Sequence, residues 1–141
     1  MLEAVVRLML GRPELKRITM LALASYVFLL RVPSEGLPIA VGQFLGAGQP
    51  PLFRAHDDRV ELFLPRRKNR LHPTTLVRKC WCAKSRFTCP VHVLGAYFAA
   101  LPVGDQPFLQ LSADAARVQL REVLEAIGTP DWHLYWLHDM R

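Results

Sequence analysis

The chain has 141 residues, 51% apolar and 21% charged, with a formal net charge of +6. That length and apolar share describe one folded domain with a single core and are not those of a disordered chain. The basic excess is confined to residues 65–88, which hold eight Lys or Arg and no Asp or Glu, leaving ten basic against twelve acidic residues elsewhere. Such a patch attracts polyanions, nucleic acid first, over the plainer alternative of a solvated basic hairpin. Three cysteines, an odd number, argue against a disulfide framework and for a reducing compartment. No secretory signal opens the chain, so it is expected to be nuclear in a eukaryote, otherwise cytoplasmic, and not secreted.

Residues 2–10 read as a short helix broken at Gly11 and Arg12. Pro13 then starts a second helix, where its missing N–H costs nothing. The longest apolar run, residues 18–30, is 13 residues long against the roughly 20 a membrane span needs. It is read as a central buried helix running to about Leu30, with no membrane partner. Pro33 is expected to end it, and Ser34 to cap a short helix reaching about Val41. Residues 42–51, with three glycines and two prolines, read as a loop.

The hydrophobic period then shortens. Residues 52–55 and 59–64 read as strands, residues 69–73 as a turn, and residues 74–82 as the returning strand. The basic residues therefore lie on a β-hairpin and its second arm. Cys89 and Pro90 open a helix to about Ala100. Ser112 caps the next, with Ala116, Leu120, Val123, Leu124 and Ile127 at helical spacing and Gly128 as its stop. Residues 129–137 form an aromatic connector, and His138 begins another helix. The expected fold class is α+β, mostly helical with a small antiparallel sheet.

Arg31 is poorly placed for packing, at the end of the most apolar helix. Burying its guanidinium unpaired costs on the order of several kcal/mol. Either Glu35, at i+4, neutralises it, or it faces a site that needs a fixed positive fork.

The ordered set of Arg31 with Ser34 and Glu35, the hairpin Arg66, Arg67, Lys68, Asn69 and Arg70, and His138 with Arg141 resembles the catalytic domain of the tyrosine recombinases. These are the phage-integrase family of DNA breaking and rejoining enzymes. Cys80, Trp81 and Cys82, followed by Cys89, Pro90, Val91 and His92, resemble its divergent eukaryotic members. The resemblance spans nearly all of residues 1–141. It implies a recombinase-type fold, double-stranded DNA as partner, and homo-oligomers on paired sites.

The resemblance also assigns roles. Arg31 and Arg141 would be two guanidinium forks answering charge on the non-bridging oxygens of a five-coordinate phosphorus. A hairpin lysine would protonate the departing 5′ oxygen. Lys68 is the lysine at the tip, although a gap-free alignment puts Arg67 there. His138 would donate a hydrogen bond or pass a proton, and Glu35 would orient Arg31 from behind. Arg66, Arg67, Arg70, Arg78 and Lys79 would contact the DNA. No metal or cofactor is needed for this chemistry, because the arginines do what a cation does elsewhere.

Two features depart from the family pattern. Val32 and Pro33 both intervene between Arg31 and the Ser34–Glu35 pair. The nucleophilic tyrosine of the family follows the second arginine, whereas Tyr26, Tyr97 and Tyr135 precede Arg141. The expectation is a catalytic domain cut short before its nucleophile and inactive alone. Two alternatives stay open. One is a non-catalytic DNA-binding module that keeps the hairpin. The other is a small zinc-stabilised interaction domain, because Cys80, Cys82, Cys89 and His92 supply four zinc-type ligands. Their spacing is not the usual pair of knuckles, and buried free cysteines are common.

Overall fold

The computed structural model describes residues 2–42, 48–67 and 69–135. Lys68, His138 and Arg141, three of the four catalytic candidates, lie outside the described residues, as does Trp136.

The order of elements is α1 (Leu2–Gly11), a 3₁₀ turn (Pro13–Leu15) leading into α2 (Lys16–Phe28), a wide turn (Val32–Gly36), and β1 (Ala40–Val41). Then come β2 (Leu52–Ala55), β3 (Arg59–Leu64) and β4 (Thr74–Lys79). A wide-pitched helical segment (Pro90–Gly95) continues into α3 (Ala96–Ala99), followed by α4 (Ala113–Ala126) and a 3₁₀ turn (Trp132–Leu134). The class is α+β with a four-stranded sheet in the order β1-β2-β3-β4. β2, β3 and β4 form the expected antiparallel meander, and β1 adds a short parallel pair, Ala40 with Leu52 and Val41 with Phe53. The sheet is thus mixed rather than purely antiparallel.

α2 is central, as its composition predicts. Ile18 through Ser25 are all buried, with Val27 and Phe28, leaving Tyr26 as the exposed residue of that stretch. α1 packs on it through Val5 and Val6, and α4 through Ala116, Leu120, Val123 and Leu124. The sheet faces the core with Phe53, Val60, Leu62 and Leu64. Phe53 stacks on Phe98 of α3 with centroids 4.0 Å apart and meets Phe28 edge-on at 6.1 Å. Such ring pairs contribute about 0.5–1.5 kcal/mol each beyond their buried area.

α2 ends earlier than expected, and Pro33 does not end it. The stop is Leu29, in the left-handed conformation (φ 55), with the Leu30 N–H donating back to the Ser25 carbonyl at 2.9 Å. This is the usual geometry of a helix C-terminus, made here by leucine instead of glycine. It turns Leu30 into the core, where it is fully buried. Pro33 instead sits in the first turn of Val32–Gly36, where it forfeits no hydrogen bond. The capped helix expected from Ser34 to Val41 is replaced by that single turn and by β1.

β4 stops at Lys79 rather than Cys82 because its neighbour runs out. Arg59 pairs with Lys79, and β3 begins at Arg59, immediately after the bend at Asp57 and Asp58. Beyond that pair there is no strand to bond to, and residues 82–84 turn instead, with the Lys84 N–H donating to the Trp81 carbonyl at 2.8 Å. After β1 the chain passes close to Gly104: Gly42 has φ 124, and a Cβ there would lie 2.7 Å from Val103 Cγ1. α4 begins as predicted, with Ser112 Oγ accepting from the Ala115 N–H at 3.0 Å, and is followed by Gly128 at φ 72.

Candidate nucleic-acid interface

Arg31 lies just past the left-handed stop, in extended backbone (φ −85, ψ 112) at the head of the Val32–Gly36 turn. Its main chain is held from both sides. The Arg31 carbonyl accepts from the Glu35 N–H at 2.8 Å and from the Gly36 N–H at 3.2 Å. The Arg31 N–H donates to Glu35 Oε2 at 2.8 Å. This reciprocal pairing resembles a capping box, with both partners satisfying a turn's orphan groups. The side chain of Arg31 is half-buried, and its guanidinium makes no hydrogen bond or ion pair among the described residues.

Glu35 therefore acts differently from expectation. It is buried, at 4% exposure, and holds the backbone of Arg31 rather than its guanidinium. Its second oxygen, Oε1, lies 3.4 Å from Nε of Arg67, on the hairpin. Arg67 also donates from Nη2 to the Leu29 carbonyl at 3.2 Å. The hairpin turns tightly here: the Arg70 N–H bonds the Arg67 carbonyl at 3.1 Å, and Asn69 takes φ 68, which its short amide tolerates.

Arg78 does the same work further along. Its Nε donates to the Val27 carbonyl at 2.9 Å, its Nη1 to the Val77 carbonyl at 2.9 Å, and its guanidinium sits 5.5 Å from the centre of the Phe28 ring. The last carbonyls of α2 have no helical partner and carry the negative end of the helix dipole, so two guanidiniums are favoured there. The five residues expected to contact DNA thus divide. Arg67 and Arg78 fasten the hairpin to the end of α2. Arg66, Arg70 and Lys79 are exposed. Sequence reasoning missed the fastening role because its acceptors are backbone carbonyls, which leave no mark in residue identity.

A second cluster lies at the far end of β4. Cys82 Sγ is 3.1 Å, Cys89 Sγ 3.4 Å and Cys80 Sγ 3.6 Å from Nδ1 of His92, and the Cys80 and Cys89 sulfurs are 3.6 Å apart. All four donor atoms lie within 4.8 Å of one another. Burial works to raise the Cys89 thiol, but hydrogen bonds, that of His92 foremost, outweigh it and bring it down to about 6. Burial and the neighbouring sulfurs push Cys82 up to about 11. Three thiols this close cannot all ionise without a compensating cation.

Tyr26 is exposed, whereas Tyr97 and Tyr135 are packing residues. Tyr97 lies parallel to Phe108 at 6.2 Å and carries the Lys16 ammonium over its ring, and burial raises its hydroxyl above the ordinary value. Tyr135 packs against the core, and its carbonyl accepts from Arg121 Nε at 3.1 Å.

Among the described residues no helix is long and apolar enough to cross a membrane. No family model matches the chain, and no curated protein or solved structure was found to be similar to it.

Proposed function

We propose that this domain binds double-stranded DNA through its phosphates, as the arginine-bearing part of a tyrosine-recombinase-type strand-exchange unit. Arg31 is one fork of the phosphate clamp and Arg141 the other. Lys68 protonates the departing 5′ oxygen, and His138 supports the same phosphate. Assembly as a homo-oligomer on DNA goes with this assignment. The nucleophile of strand cleavage is not assigned to Tyr97 or Tyr135, whose rings serve packing, and this chain alone is not expected to cleave DNA.

One observation carries the proposal. The carboxylate of Glu35 joins the backbone of Arg31 to the guanidinium of Arg67, so the Arg31 turn and the basic hairpin are one unit. An arginine whose main chain is fixed and whose guanidinium has no bond among the described residues suits recognition of an outside anion. Beside it the hairpin presents Arg66 and Arg70 to solvent, with Lys79 further along β4. No acidic side chain between residues 65 and 88 competes for them.

The test is the salt dependence of binding to a duplex, followed by fluorescence anisotropy. Each phosphate neutralised contributes about 0.9 to the slope of log K against log salt, so a variant with Arg66, Arg70 and Lys79 all replaced by Ala should lose roughly 2–3 from that slope. A slope equal to that of the unsubstituted protein would sink the proposal.

A further inference from the structure

We propose that Cys80, Cys82, Cys89 and His92 form a structural Zn²⁺ site that fastens the end of β4 to the start of the Pro90–Gly95 helical segment. The inference stands apart from DNA binding and rests on the geometry of four side chains.

Zn–S and Zn–N bonds of about 2.3 and 2.0–2.1 Å in a tetrahedron put sulfurs about 3.8 Å from one another and about 3.5 Å from a ligating nitrogen. The observed S–S separation between Cys80 and Cys89 is 3.6 Å, and the three S–N separations are 3.1, 3.4 and 3.6 Å. These four match edges of such a tetrahedron, slightly contracted, and the two remaining S–S separations are within 4.8 Å.

Neither a disulfide nor hydrogen bonding accounts for the convergence. A disulfide needs sulfurs about 2.05 Å apart, and all three cysteines are free thiols. Hydrogen bonding among the groups covers one contact but not three. Nδ1 of an imidazole has either one N–H or one lone pair, yet three sulfurs surround it. A cation at the centre satisfies all of them at once.

The ligand chemistry selects the ion. Three thiolates and one imidazole are soft and borderline donors, which favour zinc in tetrahedral geometry over magnesium or calcium. Four protein ligands leave no open position, so the site is structural rather than catalytic. The surrounding chain is built to hold it. The Trp81 N–H points at the Cys89 sulfur at 3.4 Å, the kind of bond that steadies a metal thiolate. The Trp81 indole N–H bonds the Thr88 carbonyl at 2.8 Å, closing the loop between Cys82 and Cys89. Cys89 is buried while Cys80 and His92 are exposed, which gives an ion a route in.

The position gives the ion a task. Among the described residues β4 is an edge strand, bonded on one side by β3, and its last residue, Lys79, adjoins Cys80. His92 belongs to the segment whose Leu94 is fully buried in the core. Zinc would therefore add a fixed cross-link between the basic edge strand and the core to the packing that Trp81 and Phe87 already supply.

The test uses the full chain. Stripped protein titrated with Co²⁺ should take up one equivalent, with the intense visible bands of a four-coordinate thiolate site, and one equivalent of Zn²⁺ should abolish them. Zinc should also slow alkylation of the thiols by iodoacetamide on the order of tenfold or more, and chelator should restore the rate. Cys82→Ser and His92→Ala should each weaken the cobalt bands. Should either variant fail to fold, the alkylation measurement on unsubstituted protein decides independently. Octahedral, weakly coloured cobalt, or thiols that react at one rate with and without Zn²⁺, would overturn the site.

Discussion

Glu35 and Arg67 meet across the junction of the central helix and the hairpin, Oε1 to Nε at 3.4 Å. The carboxylate is buried and the arginine a quarter exposed. The pair fixes how the hairpin stands relative to Arg31, because the other oxygen of Glu35 is bonded to the Arg31 N–H. A residue whose spacing suggests a neutraliser for one arginine is a brace for another.

Breaking this brace should be costly. Glu35→Ala takes the carboxylate from Arg67, which keeps its bond to the Leu29 carbonyl, and leaves the Arg31 N–H without its partner; it should destabilise the fold by roughly 2–4 kcal/mol, the low end of breaking a buried pair because Arg67 is not fully buried. Denaturant unfolding of Glu35→Ala, Arg67→Ala and the double variant should give a coupling of about 1–2 kcal/mol. Additive effects would mean that the two residues do not act together.

Arg31 should matter to DNA and little to folding. Its guanidinium makes no bond among the described residues, so Arg31→Lys should leave the stability within about 0.5 kcal/mol of the parent. Duplex affinity should fall several-fold, because an ammonium cannot make two parallel bonds to one phosphate. Equal affinity for the two proteins would remove Arg31 from the phosphate site.

Leu29 holds a backbone conformation that disfavours a side chain, with 54% of its surface exposed. Leu29→Gly should therefore stabilise the protein, by about 1 kcal/mol, since left-handed backbone costs leucine about 1–2 kcal/mol and little packing is lost. Thermal unfolding checks the sign. A lower midpoint would show that the exposed leucine contributes more than its strain.

Ser112 accepts the Ala115 N–H at the start of α4. Ser112→Ala should cost about 1 kcal/mol, and Ser112→Asp should recover most of it. Circular dichroism through a urea titration reads both. A Ser112→Ala midpoint matching the parent's would mean that the cap is idle.

The helices and strands were largely legible in residue order because their signals are local. Ser112 and Gly128 bracket α4, Pro13 opens the approach to α2, and the alternation of residues 59–64 marks β3. Errors fall where a distant part of the chain sets the outcome. β4 stops at Lys79 because β3 begins at Arg59, a limit no residue in β4 records. α2 stops at Leu29 because Leu30 is drawn into the core, although leucine is a helix former.

The same division holds for the two sites. Residue identity alone settles which charges and ligands are present: Arg31, a basic hairpin without acids, and three cysteines with a histidine in residues 80–92. It also determined that α2 is central, because a helix apolar on nearly every side has nowhere else to go. Tertiary structure decided how those groups are used. It placed Arg67 and Arg78 on the carbonyls at the end of α2, leaving Arg66, Arg70 and Lys79 to solvent. It brought the donor atoms of Cys80, Cys82, Cys89 and His92 within 4.8 Å of one another. The physical reason is range. Helix caps and strand alternation act over a few residues, whereas a backbone carbonyl acceptor or a four-donor cluster exists only once the chain has folded back on itself.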